Sequence, residues 1–175
     1  MTISLCMIVK NEEAVIGRCL DTVRDIADEI ILVDTGSTDR TVDIAKKYTN
    51  SIYHFPWCDD FSAARNYAFS KARMDYQMWL DADDVIEPED RAKFLEFKQH
   101  MPDADMIMMP YHTAFDQSGR PVFTCYRERL MRRSFGFRWA GAVHEAIAPA
   151  GKVVYSDIAV CHRKVQVNEP GRNLR

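Results

Sequence analysis

The chain has 175 residues, of which 47% are hydrophobic and 28% charged, and its formal net charge is -3. That length fits a single domain, 1–175, able to bury a substantial core. The slightly acidic balance argues against a broad polyanion partner and gives no electrostatic case for nucleic acid.

Taken in chain order, Ile3 to Val9 is a nearly continuous apolar run, the pattern of a strand covered on both faces of a parallel sheet. The same MTISLCMIVKNEE stretch has no basic residues ahead of its apolar part, so it reads as a buried strand and not as a signal peptide. Asn11, with Glu12 and Glu13, is expected to start a helix whose Val15, Cys19, Leu20, Val23 and Ile26 recur near helical spacing. Glu29 to Asp34, EIILVD, is a second buried strand, followed by the small turn residues Thr35 to Asp39 and a second helical pattern. Ser51 to Phe55 predicts a third strand, Phe61 to Arg73 a helix, and Tyr76 to Leu80 a fourth strand. Pro88 to His100 predicts a further helix with proline in its first turn. Met106 to Tyr111, Val122 to Arg132 and Val143 to Ala148 then read as strands, with the run from Met106 to Met109 as strand core. The expected class is α/β: a Rossmann-like, mostly parallel sheet flanked by helices over 1–100, a strand-richer half over 101–165, and a polar tail over 166–175. No stretch approaches the ~18 apolar residues of a membrane span. Cys6, Cys19, Cys58, Cys125 and Cys161 are odd in number without a C-x-x-C pair, which predicts buried free thiols and a reducing, cytoplasmic setting.

In open parallel sheets, ligands collect beyond the carboxyl ends of the strands. That edge gathers Val9-Lys10-Asn11-Glu12, Asp34 to Asp39, and Asp81-Ala82-Asp83-Asp84. Glycine-rich dinucleotide and P-loop motifs are missing, so a bound nucleotide needs another phosphate partner. Three carboxylates in four positions repel one another unless compensated. One compensation is solvent at a strand end; the other is a divalent cation with open positions for phosphate oxygens.

MIVKNEE, VDTGSTDRT, DDFSAARNYAF and WLDADD, in this order and spacing, resemble the successive signatures of family 2 glycosyltransferases, the inverting enzymes of GT-A fold. More narrowly, they resemble the bacterial subgroup of lipopolysaccharide-core glucosyltransferases and of glycosyltransferases fused to tetratricopeptide repeats. The resemblance runs from Ile3 to about Glu145. It implies transfer of a sugar from a nucleoside diphosphate sugar, with a UDP-sugar favoured, to a saccharide, lipid-linked or peptide acceptor hydroxyl in cell-envelope glycan synthesis, with peripheral membrane association possible.

It also implies nucleotide contacts from Val9, Lys10, Asn11, Glu12, Asp34, Arg65, Asp81 and Ala82. Thr35 stands where many relatives carry a second acid. Mn or Mg would be held by Asp83 and Asp81, with Asp84 and a late histidine, His162, as further ligands. FRWAGAVHEAI resembles the subgroup's W-x-G-x-V-H-E segment, making Glu145 the general base and His144 its neighbour. Each residue also has a plainer reading: Asp34 as a strand-end turn, Asp39 as a helix cap or brace, Arg65 on a solvated helix face, Glu145 and His144 as a structural pair on a strand, Trp139 as core and not the floor of a sugar site, and Lys71 and Arg73 as a solvated helix end. His54, His100 and His112 have no partners at metal-binding spacing. A nucleotidyltransferase, and a binding module or shortened homologue without turnover, stand as alternatives; the R-N-L pattern at 172–174 is where relatives commonly continue.

Overall fold

The computed structural model describes residues 1–164; the polar tail and its R-N-L pattern lie outside the described residues. One mixed sheet organises the chain. Strands β1 (Ile3–Val9), β2 (Glu29–Asp34), β3 (Ile52–His54) and β4 (Tyr76–Trp79) run parallel in the order β3-β2-β1-β4. Their burial on both faces explains the unbroken apolar runs: every residue of β2 and β4 is buried. Helices α1 (Ile16–Val23), α2 (Thr41–Ala45), α3 (Phe61–Lys71) and α4 (Pro88–Gln99) provide the crossovers and flanks. Two apolar clusters form: one around β1, α1 and α4 through Leu5, Leu20 and Phe94, the other around α3 and the strand-rich half through Phe69, Trp79 and Met131.

Beyond β4 the sheet changes direction. Strands β6 (Met106–Phe115) and β7 (Pro121–Arg132) form a long antiparallel hairpin, and β7 lies antiparallel to β4. The short strands β5 (Asp84–Val85), β8 (Val153–Tyr155) and β9 (Val160–His162) complete it: β8 and β9 run parallel to β6, and β5 pairs antiparallel with β9. Met106, Ile107, Met108 and Met109 are all buried, as strand core should be.

The local expectations fail in three places. The first helix starts at Ile16 and not at Asn11, because Asn11 takes a left-handed conformation (φ 54°) and accepts the Thr38 N–H at 2.8 Å, joining two loops instead of capping its own helix. Val143 to Ala148 is no strand but a loop closed by a single bridge, Ala140 to Ala146. Gly141 (φ 102°) makes that reversal possible, since a Cβ there would sit 3.3 Å from the Val143 carbonyl. At the end of α3, Lys71 and Arg73 are not merely solvated: the Lys71 ammonium lies 4.4 Å from the Tyr67 ring centroid, and Arg73 pairs with Glu29 at 2.6 Å. Cys6, Cys19 and Cys161 are buried free thiols as expected, whereas Cys58 is exposed and Cys125 half-buried. Among the described residues no helix is long and apolar enough to cross a membrane.

Candidate active site

The parallel register places Val9, Asp34 and His54 side by side at the carboxyl edge of the sheet. Strand β4 ends there too, with Trp79 beside Cys6, and the chain turns through Leu80 to Asp84 across that edge. Each of the three carboxylates of this turn has a cationic partner, and His162 serves both Asp83 and Asp84. Asp81 meets Arg65 from α3 at 2.7 Å, Asp84 meets Arg129 from β7 at 3.1 Å, and Asp83 meets His162 from β9 at 3.2 Å.

Arg65 also carries the link to the late motif. Its Nη2 donates to Asp81 and its Nε to Glu145 Oε1, both at 2.7 Å. The guanidinium lies beside both Trp79 and Trp139, 4.9 and 4.8 Å from their ring centroids, while the two rings pack edge-on against each other. Arg65 is 7% exposed, so it is no solvated helix residue; burial disfavours its charge, and Asp81 and Glu145 outweigh that and raise its pKa. Trp139 is 3% exposed and packs edge-on against Trp79 and Phe69, a core residue and not the floor of an open sugar site. Glu145 is therefore borne by a loop, held by an arginine. His144 beside it is exposed, at φ 56°, with no hydrogen-bond partner among the described residues. Thus Arg65, and not His144, orients Glu145.

The residues expected on the nucleotide side are held by their own loops. Asp34 accepts the N–H groups of Gly36 and Ser37 at 3.2 and 3.0 Å, the strand-end turn that its position suggested, while His54 Nδ1 approaches it at 3.6 Å. Asn11 N–H donates to Ser37 and Glu12 N–H to Thr41. Asp39 is the expected brace, accepting from Thr41 and from Glu13 N–H. Lys10 is exposed beside this edge, whereas the Ala82 side chain is buried in the larger apolar cluster.

Asp83, Asp84 and His162 each offer a ligand atom, all within 4.8 Å of one another. Two carboxylates with one imidazole suit Mn better than Mg, which prefers an all-oxygen shell. The hydrogen bonds of Asp83 and then Asp84 raise His162 to about 9. Burial opposes the charge on Asp84, yet Arg129, His162, the Asp81 N–H and Tyr111 hold it below the usual carboxylate range. Asp81, expected in the same shell, turns to Arg65 instead.

Sequence reasoning missed Arg129 and Tyr111, which surround Asp84, and also His54 beside Asp34. The alternation Arg127-Glu128-Arg129 inside a strand was a signal, since a charge in the middle of a sheet strand demands a partner.

The model of the family described as "Glycosyl transferase family 2" matches residues 4–139. A TPR repeat-containing protein of Synechococcus elongatus is 35% identical over 145 residues, covering 83% of this chain and 35% of that protein. The prophage-derived glycosyltransferase SunS of Bacillus subtilis is 32% identical over 148 residues, covering 82% and 34%. The chain thus spans about a third of the length of these relatives. Among solved structures, S. aureus TarS in complex with UDP-GlcNAc superposes with a TM-score of 0.54 at 24% identity over 70% of this chain and 37% of that one. Glucosyl-3-phosphoglycerate synthase of Mycobacterium tuberculosis with Mn2+ and UDP-glucose gives 0.52 at 21% identity over 63% and 43%. Those structural likenesses carry the GT-A architecture, and the family match over most of the chain makes this protein a member of glycosyl transferase family 2.

Proposed function

We propose that this domain binds a UDP-sugar through a divalent cation and transfers the sugar, with inversion, to an acceptor hydroxyl. The observation that carries the reading is the Arg65 bridge, which joins the acidic turn after β4 to Glu145 on the late loop and so holds an acid of the donor side and the candidate base on one guanidinium. The UDP-GlcNAc held by TarS and the Mn2+ and UDP-glucose held by the mycobacterial synthase support the donor class. The half over 1–100 serves the nucleotide sugar and that over 101–165 the acceptor, whether saccharide, lipid-linked or peptide. Cell-envelope glycan synthesis on the cytoplasmic side, where nucleotide sugars are made, is the setting proposed.

Asp83 and His162 are the residues that would hold Mn, with Asp84 behind them, its oxygens taken by Tyr111, Arg129 and the Asp81 N–H. Bound there, a cation would supply positive charge beside the departing diphosphate. Asp34 accepts from the nucleoside, and Lys10, Asn11 and Glu12 line the same edge. Glu145, aimed by Arg65, takes the acceptor proton as the hydroxyl attacks the anomeric carbon from the face opposite the leaving group.

Calorimetric titration of UDP, GDP and UDP-sugars with and without Mn, on the wild-type chain and on Asp83→Ala, tests this. Expected is Mn-dependent binding of the uridine nucleotides that Asp83→Ala abolishes, together with UDP release when an acceptor is added. Equal affinity in every condition refutes the reading, Mn-dependent binding with no turnover favours a binding module, and pyrophosphate release favours a nucleotidyltransferase.

A further inference from the structure

Asp84 and Arg129 are both fully buried. Asp84 Oδ1 accepts from Tyr111 at 2.8 Å and lies 3.2 Å from His162 Nδ1; Oδ2 accepts from Arg129 Nη1 at 3.1 Å and from Asp81 N–H at 3.0 Å. A carboxylate offers about four lone-pair sites, so Asp84 is saturated by the protein itself. Arg129 is less well served. Its Nη1 also donates to the Trp79 carbonyl at 3.0 Å, but Nε and Nη2 have no hydrogen-bond partner among the described residues. Its guanidinium instead stacks 3.8 Å from the Trp79 ring centroid and 4.3 Å from that of Tyr111.

Orphaned N–H groups in the interior carry a free-energy cost that aromatic faces offset only in part. Apolar side chains of similar volume in place of a buried ion pair are often neutral or stabilising. Stability alone therefore does not account for this pair. The turn that it anchors does: Asp81 N–H donates to Asp84 Oδ2, and Asp84 N–H returns a bond to the Asp81 carbonyl at 3.0 Å. The Asp84 carboxylate thus closes the turn whose middle residues are Ala82 and Asp83, and β5–β9 pairing sets His162 opposite it.

We propose that Arg129 is a positioning residue. By compensating Asp84 and fixing its Oδ2, it holds the acidic turn in the shape that presents Asp83 beside His162, and so governs the affinity for a metal-bound nucleoside diphosphate without touching either. This rests on the nucleotide-sugar reading above. The test combines Arg129→Met with Asp84→Asn, which leaves no buried charge unpaired, and adds Arg129→Lys, which keeps the charge but not the planar stack.

Thermal unfolding and calorimetric titration of UDP, with Mn and with EDTA, are measured on each. The expected result is a double variant that melts close to wild type, loses affinity for UDP in Mn by about 10- to 100-fold, as loss of a supporting partner behind a ligand does, and keeps its affinity in EDTA. Arg129→Lys should recover part of the loss. A folded double variant, or a folded Arg129→Lys where the double variant does not fold, that binds UDP in Mn as wild type does overturns the inference. So does a loss of affinity that merely follows the unfolded fraction. A wild-type chain that binds UDP without regard to Mn overturns the function and this inference together, so the two failures are distinguishable.

Discussion

Asn66 and Trp139, 73 residues apart, are tied by two hydrogen bonds of 2.9 Å: the Asn66 amide donates to the Trp139 carbonyl, and its oxygen accepts the Trp139 N–H. Helix α3 thereby fastens the backbone at the start of the loop that carries Glu145. The same helix reaches that loop again through Arg65. Asn66→Ala leaves both backbone groups without these partners and should destabilise the fold by about 1–3 kcal/mol. Denaturant unfolding checks this, and an unchanged midpoint would show that solvent replaces the clamp.

Glu145→Gln separates basicity from geometry, because the glutamine oxygen still accepts from Arg65 Nε. Turnover should fall by about 10²- to 10⁴-fold while UDP affinity stays at the wild-type level. Steady-state kinetics beside calorimetry decides it. A variant with undiminished turnover removes Glu145 from the reaction.

Arg65→Lys keeps a positive charge but cannot bridge Asp81 and Glu145 with a planar fork. Turnover should drop by about 10²-fold, the scale of a small misplacement of reacting groups. Pre-steady-state measurement of the chemical step is the readout, and a rate equal to wild type would reduce the bridge to packing.

His162 predicts a pH effect in the metal-free chain. Its folded value is raised to about 9 by Asp83 and Asp84, so the imidazolium's contribution to stability is fully present below the unfolded value of about 6.5 and lost as pH rises through about 9. Thermal unfolding in EDTA should show the melting temperature falling across that window, and His162→Gln should flatten the fall. Identical slopes in the two proteins would contradict the pairing.

Glu29 predicts an effect of opposite sign, far from the crevice edge. Burial disfavours its charge, but Ser4 at 2.6 Å and Arg73, through its N–H and guanidinium, hold its pKa below the usual value. Its contribution is present above the unfolded value of about 4.3 and lost as pH falls through the lower folded one. Glu29→Gln should lose about 1–3 kcal/mol at neutral pH and show a shallower acid limb in urea unfolding. Equal acid limbs would place the protonation elsewhere.

The alternation of strands and helices through α4, the parallel first half and the clustering of acids at one sheet edge were legible in the sequence, whereas β5, β8 and β9 were not and Val143 to Ala148 was misread as a strand. Apolar periodicity is a local property, and a run such as EIILVD has few ways to be satisfied other than as a strand covered on both faces. The family signatures likewise lie in short contiguous stretches. Loop conformation was less legible: Asn11 looked like a helix start because its neighbours are acidic, yet its side chain bonds across to Thr38.

How the charges of the acidic turn are compensated was decided by tertiary structure. Arg65, Arg129 and His162 come from α3, β7 and β9 and meet Asp81, Asp84 and Asp83 through helix packing and strand register, over separations of 16, 45 and 79 residues, His162 reaching Asp84 as well. Composition sets how many cations and anions a chain carries. Which anion each cation meets depends on distances that exist only once the sheet has formed, since electrostatic pairing falls steeply with separation and burial removes the solvent that would otherwise satisfy both groups.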